Sequence, residues 1–309
     1  MSTIEFPKSF KKGDKIAIIS PAGSVEEAQL TQTLELIKSK GYIPVLGKYT
    51  FGKNNFGYSY SGTEEERIKD LNWALNDEEI SAIWASRGGY GCQHLLKHIK
   101  LSKFKKNPKW YIGYSDNTVI QSYLLKKGYA SIHGQTIKTP SFGVSEESYE
   151  EIFNILEGKT PKYQIEKHAF NKTGKAEGKL IGGNLALVHA LLGTPYSFDF
   201  KDKILFIEDI GENFYALDRM MMSLDLAGVF KKIKGMIVGG MTNMGDEKDN
   251  KNYEESFDEL AYEIIHKRIE KYHFPTVFGF PNGHIFDNRP LIIGGKVKIE
   301  VKEKATVNF

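Results

Sequence analysis

Apolar runs of four to six residues alternate with amphipathic stretches through the first half of the chain. Lys15-Ile16-Ala17-Ile18-Ile19-Ser20 reads as a buried strand running into the turn Pro21-Ala22-Gly23. Leu30, Leu34 and Ile37 then recur at helical spacing, so residues 25–40 are predicted as a helix, opened by a capping box of Ser24 and Glu27 and ended by Gly41. Residues 43–46 give a second strand. Residues 47–62, rich in Gly, Asn and Tyr and without a period, give a loop or lid over the strand ends. Thr63 and Glu66 repeat the capping box before a helix that turns Ile68, Leu71 and Leu75 inward. Residues 80–85 form a third strand, ending in Ser86-Arg87-Gly88-Gly89-Tyr90-Gly91, and a helix holding Leu95, Leu96 and Ile99 follows. Trp110-Tyr111-Ile112-Gly113 is the fourth strand. It stops at Tyr114-Ser115 and passes directly into a helical pattern of Val119, Ile120, Tyr123 and Leu124. Ala130-Ser131-Ile132 is the fifth, ending at His133-Gly134-Gln135.

Five strands alternating with helices imply a parallel sheet covered on both faces, because parallel strands need crossover connections. The expected fold is α/β, with a doubly wound, flavodoxin- or amidotransferase-like domain over residues 1–160. Ligands of such sheets collect beyond the carboxyl ends of the strands, where the loops at Ser20, Arg87, Ser115 and His133 fall. Residues 161–178, polar and turn-rich, are expected to be a linker. Residues 179–309 alternate short strands with helices and are expected to form a smaller mixed α+β domain on a partly closed sheet. Its strands are predicted at 179–181, 203–208 and 236–238 and around Val277, Leu291 and Val297, its helices at 215–230 and 257–269.

Composition narrows the class. The chain has 309 residues, 40% hydrophobic and 26% charged, enough for about two ordinary domains with a large core. A formal net charge of +3 spread along the chain gives no reason to expect a nucleic-acid partner. No stretch has the length of a signal-peptide core or a membrane span, and the single cysteine, Cys92, suits a reducing compartment. A cytoplasmic protein is expected.

Three positions stand out chemically. Ser115 sits at the strand-to-helix junction, where a side chain is lifted above the sheet edge; it is either a helix cap or a nucleophile. Glu208 and Asp209 end an apolar strand and either cap the helix expected near Asn213 or serve a site. His284 lies in the Pro/Gly-rich turn Phe280-Pro281-Asn282-Gly283-His284, which holds a side chain rigidly without burying it. Together they supply a nucleophile, an orienting acid and a general base, the three roles of serine hydrolases on several unrelated folds. Cys92, after Gly91 at a helix start, is the alternative nucleophile of a cysteine amidohydrolase. His94 and His98, four apart, have the spacing of a zinc pair but no Glu between them, and read as a solvated pair. A non-enzymatic small-molecule-binding protein with Gly-rich loops is a further reading.

Gly113-Tyr114-Ser115-Asp116-Asn117-Thr118, the Gly-rich loop at 86–91, Leu180-Ile181-Gly182-Gly183-Asn184-Leu185, Phe206-Ile207-Glu208-Asp209 and Gly279-Phe280-Pro281-Asn282-Gly283-His284 together resemble the LD-carboxypeptidases, a family that also holds the microcin-immunity peptidases. The resemblance runs from about Lys11 to Val301. It implies a cytoplasmic serine peptidase that removes the terminal D-alanine of murein tetrapeptide, with Ser115 as nucleophile, His284 as base and Glu208 as orienting acid, without metal or cofactor. It further implies an oxyanion hole of the Asp116 N–H with that of Gly88 or Gly89, and a homodimer. Action on aminoacyl-nucleotide conjugates is the alternative within the family. An exopeptidase reads a free carboxylate, and an arginine fork suits that task. Arg67 and Arg268 read as exposed on helices and Arg219 as paired on its own, which leaves Arg87 and Arg289.

Overall fold

The computed structural model describes residues 4–245 and 257–309. Two sheets organise them. In the first, the strand order from edge to edge is Ile43–Leu46, Lys15–Ile19, Ile80–Ala85, Trp110–Gly113, Ser131–His133 and Leu291–Ile293. The first five are parallel, and their residues alternate between two cores. Ala17, Ile19, Ile83, Ala85 and Tyr111 face one, under the helices Glu64–Asn76 and Thr118–Lys126. Ile16, Ile18, Ala82, Trp84 and Ile112 face the other, under Thr31–Ser39 and Glu146–Leu156. Both faces of the inner strands are buried, which is why those strands read as continuous apolar runs.

The second sheet runs Thr276–Val277, Gly235–Thr242, Lys203–Ile210, Gly174–Asn184, Lys296–Val301, Ala305–Asn308 and Lys162–Ile165. The first four are mutually parallel and the rest antiparallel. Residues 161–178, expected as a linker, hold the strand Lys162–Ile165 and the first residues of Gly174–Asn184. Among the described residues no helix is long and apolar enough to cross a membrane.

Several local expectations are corrected. The first helix is shorter than 25–40: a 3-10 turn at Glu27–Gln29, whose capping box uses Glu26 and Gln29, precedes the helix Thr31–Ser39. Ser24 bonds Ser59 across the loop instead. The 47–62 stretch contains a two-residue hairpin, Asn54–Asn55 with Ser59–Tyr60. The Leu95 helix is a single turn, Cys92–Leu95, continued as 3-10 geometry over Leu96–His98. Most consequential is Leu291–Ile293, which pairs antiparallel with Ser131–His133, Leu291 opposite His133. The chain before Leu291 therefore emerges at the carboxyl ends of the parallel strands, and the His284 turn is delivered beside the Ser115 junction.

Candidate active site

Ser115 has φ 61°, in the left-handed region that a non-glycine residue adopts only when its surroundings enforce it. The enforcement is visible. Tyr114 is extended, Ser115–Asn117 make a 3-10 turn, and the helix Thr118–Lys126 follows at once. Asn117 braces the corner: its Oδ1 accepts from the Tyr111 hydroxyl at 2.5 Å and its Nδ2 donates to Tyr114 O at 3.0 Å. Gln121 Nε2 holds Gly113 O at 2.9 Å. Gly113 is required there, because a Cβ would lie 2.8 Å from Asn117 Cγ. The N-cap of this turn is Tyr114, which makes no side-chain cap hydrogen bond.

Glu208 lies inside the strand Lys203–Ile210 opposite Asn184, fully buried, and its Oε2 is 2.8 Å from His284 Nδ1. A carboxylate on Nδ1 fixes the tautomer that leaves Nε2 as the accepting nitrogen. The His284 ring packs on Tyr114, centroids 4.8 Å apart. Its turn is rigid: Gly283 N donates to Asn288 Oδ1 at 3.1 Å, and Asn282 Nδ2 donates to His133 O at 3.2 Å and Arg289 O at 2.6 Å. Gly283 has φ 128°, and a Cβ there would lie 3.0 Å from Glu208 Oε2. Burial would push the Glu208 carboxyl up, but the charge and hydrogen bond of His284, with His133 beside it, outweigh burial and hold it below the usual carboxylate range.

The neighbouring Asp209 behaves oppositely. Burial and then the charge of Glu208 push it up to about 7. It does not cap the helix Phe214–Leu226, whose N-cap Asn213 makes no side-chain cap bond. It serves the start of Leu185–Ala190, accepting from Ala186 N at 3.0 Å and Asn184 Nδ2 at 2.8 Å. A second histidine, passed over in the sequence, completes the buried cluster. Gln121 donates its amide to Ile132 O at 2.8 Å as well as to Gly113, so its Oε1 accepts from His133 Nδ1 at 3.0 Å. His133 Nε2 then faces Glu208 Oε1 at 3.8 Å, beyond hydrogen-bond reach, and burial drives this imidazole down to about 4. The only sequence signal for it was its place at a strand end.

Ser115 and His284 line one cavity of about 610 Å³ together with Arg87, Gly88, Gly89, Tyr114, Thr136 and Lys138. The backbone of Gly88 lies against the serine: a Cβ there would be 2.8 Å from Ser115 Cβ and 3.0 Å from Oγ. Asp116 follows Ser115 in the first turn, where amides lack helical acceptors. Its buried carboxylate turns away to accept from Cys92 N at 2.8 Å. Arg87 donates to Ser24 O at 3.1 Å and stays on the cavity wall. Arg289 is elsewhere. It does not line the cavity, and its guanidinium is held by Asp287 at 2.6 Å and Glu151 at 2.9 Å. Arg67, expected on an exposed face, is buried and bonds the carbonyls of Pro21, Gly62 and Gly91. Arg268 pairs with Asp218, and Arg219 stacks over Tyr215.

The rival nucleophile fails on its environment. Cys92 is fully buried, and burial followed by the charge of Asp116 pushes its thiol well above the ordinary value, reversing the expected effect of a helix start. We expect Cys92 in the native protein not to react with a thiol reagent at pH 8 and to react fully in denaturant, which mass spectrometry measures directly; native-state labelling would contradict the assigned burial. The zinc-pair geometry is also lost, since His98 falls in the 3-10 turn while His94 pairs with Glu64 at 3.2 Å.

Comparison with known proteins gives the family. Residues 16–134 match the family model of the LD-carboxypeptidase N-terminal domain, and residues 177–299 that of the LD-carboxypeptidase C-terminal domain. The chain is 31% identical over 307 residues to a probable murein peptide carboxypeptidase of Bacillus subtilis (strain 168), covering 97% of this chain and 93% of that protein. It is 27% identical to the microcin C7 self-immunity protein MccF of Escherichia coli, covering 94% and 92%. Among solved structures, the muramoyltetrapeptide carboxypeptidase from Oxalobacter formigenes superposes with a TM-score of 0.82 at 28% identity, over 95% of this chain and 98% of that one.

Proposed function

The chain belongs to the LD-carboxypeptidase family and is a serine-type carboxypeptidase, and from that premise we propose that Ser115, His284 and Glu208 carry out its chemistry on murein tetrapeptide. The observation that carries the reading is the buried 2.8 Å Glu208–His284 pair opening on the same cavity as a serine held at φ 61°. In the reaction, His284 Nε2 takes the Ser115 hydroxyl proton as Oγ attacks the carbonyl of the bond before the terminal D-alanine. Glu208 stabilises the imidazolium. The N–H groups of Asp116 and of Gly88 or Gly89 receive the oxyanion. His284 then gives its proton to the departing amine, and a water, deprotonated by the same ring, hydrolyses the acyl-enzyme. The reaction belongs in the cytoplasm, which the single buried Cys92 suits, and the homodimer rests on the family alone.

A second reading, cleavage of aminoacyl-nucleotide conjugates, is supported by the likeness to MccF. Purified protein incubated with murein tetrapeptide and, separately, with an aminoacyl-sulfamoyl-adenosine separates the two. We expect release of D-alanine with the higher kcat/KM on the peptide. A preference for the adenosine compound would move the protein to the second reading.

A further inference from the structure

Among the described residues, the cavity at Ser115 is lined by two cations, Arg87 and Lys138, and by no Asp or Glu. Its other polar walls are neutral: Gln29, Gln32, Thr136, Thr139 and Ser141. Whatever fills it is therefore anionic where it meets this wall.

We propose that Lys138 and Arg87 jointly hold the free carboxylate of the departing C-terminal residue, Lys138 being a specificity-determining residue of the site. This rests on the carboxypeptidase reading above. Lys138 is set beside Arg87 by main-chain bonds: Lys138 N donates to Ser86 O at 2.7 Å and Ile137 N to Ala85 O at 3.2 Å, so residues 137–138 run along the end of the strand Ile80–Ala85. Gln135 Nε2 holds Lys138 O at 3.3 Å from the other side. The Lys138 ammonium has no carboxylate partner among the described residues. Partial burial, and then the charge of Arg87, push it below the ordinary lysine value. Arg289 shows the contrast, with two carboxylates of the protein on its guanidinium.

Position agrees with the assignment. One residue past the scissile bond, the terminal carboxylate lies only about 4 Å from the bond being cut. Its cations must then be near neighbours of the nucleophile. Arg87 directly precedes Gly88, whose backbone lies against Ser115, and Lys138 lines the same cavity wall, its main chain bonded to Ser86, the residue before Arg87. A guanidinium uses one of its five N–H donors on Ser24 O, and the ammonium adds a compact charge that the planar fork lacks.

The test is steady-state cleavage of murein tetrapeptide with a free and with an amidated C-terminus by the wild-type protein, Lys138→Met and Lys138→Arg, each checked by thermal melting. We expect the wild type to prefer the free acid. Lys138→Met should reduce that preference about 10- to 100-fold, the range of one charge-assisted hydrogen bond, while Lys138→Arg keeps most of it. A Lys138→Met variant with an unchanged preference, or one slowed equally on both substrates, overturns the proposal and leaves the carboxypeptidase reading standing. A wild type that cleaves acid and amide equally overturns the proposal alone, and one that releases no D-alanine overturns both.

Discussion

Ser115→Ala lowers kcat by a factor on the order of 10⁶, the loss that removal of the nucleophile causes in a serine protease, while the protein stays folded. The size follows from the triad acting as a unit: without Oγ, the imidazole has no proton to take and the oxyanion site no tetrahedral intermediate to hold. Alanine is as disfavoured as serine at φ 61°, so the melting temperature should hardly move. Ser115→Gly, equally inactive, should be more stable than Ser115→Ala, because glycine enters the left-handed region without the Cβ clash of about 1–2 kcal/mol. Activity and melting curves of the two variants test both statements at once. A Ser115→Ala enzyme within tenfold of wild type would refute the nucleophile, and equal melting of the two variants would refute the strain.

Glu208→Gln is expected to lower kcat by about 10⁴, as the corresponding amide does in serine proteases, with a much smaller change in KM. The amide cannot stabilise an imidazolium, and by turning its NH2 toward His284 Nδ1 it selects the tautomer with the proton on Nε2, where it cannot accept one from serine. The same variant has a stability signature. Glu208 is held below the usual carboxylate range in the folded chain, so the folded state binds fewer protons than the unfolded one near the ordinary carboxylate pKa of about 4.3. Its contribution is present above that value and is lost as pH falls through the lower folded value. Chemical denaturation of wild type and Glu208→Gln from pH 7 to pH 3 should show a shallower acid decline in the variant. Parallel declines would show that the carboxylate gains nothing from His284.

Part of this was readable from residue order because it depends on local rules. Continuous apolar runs at Lys15–Ile19, Ile80–Ala85 and Trp110–Gly113 read as strands buried on both faces, and the crossover helices between them made the sheet parallel. The capping box at Thr63 and Glu66 marked the start of Glu64–Asn76 for the same local reason. The weaker box at Ser24 and Glu27 misled, because a side-chain bond from Ser24 to Ser59 competes with capping, and that partner lies 35 residues away. Ser115, Glu208 and His284 stood out in short motifs, Ser115 and His284 at turns and Glu208 near the end of an apolar strand.

The sequence by itself thus determined the main strands and the crossover order, and it offered the three side chains proposed above to carry the chemistry. Which side chains share an environment was decided only in three dimensions. Leu291–Ile293 reads as one more short strand, yet its pairing with Ser131–His133 is what brings His284 round to the Ser115 junction. Arg87 and Arg289 were indistinguishable as carboxylate readers until Asp287 and Glu151 were seen to neutralise one and not the other. Lys138 carried no local signature, His133 only its place at a strand end, and Cys92 a misleading one that burial beside Asp116 reverses. The physical reason is the same in each case. Periodicity and capping depend on neighbours within about four residues, whereas burial, charge partners and pKa depend on whatever the fold packs within a few ångströms, however distant along the chain.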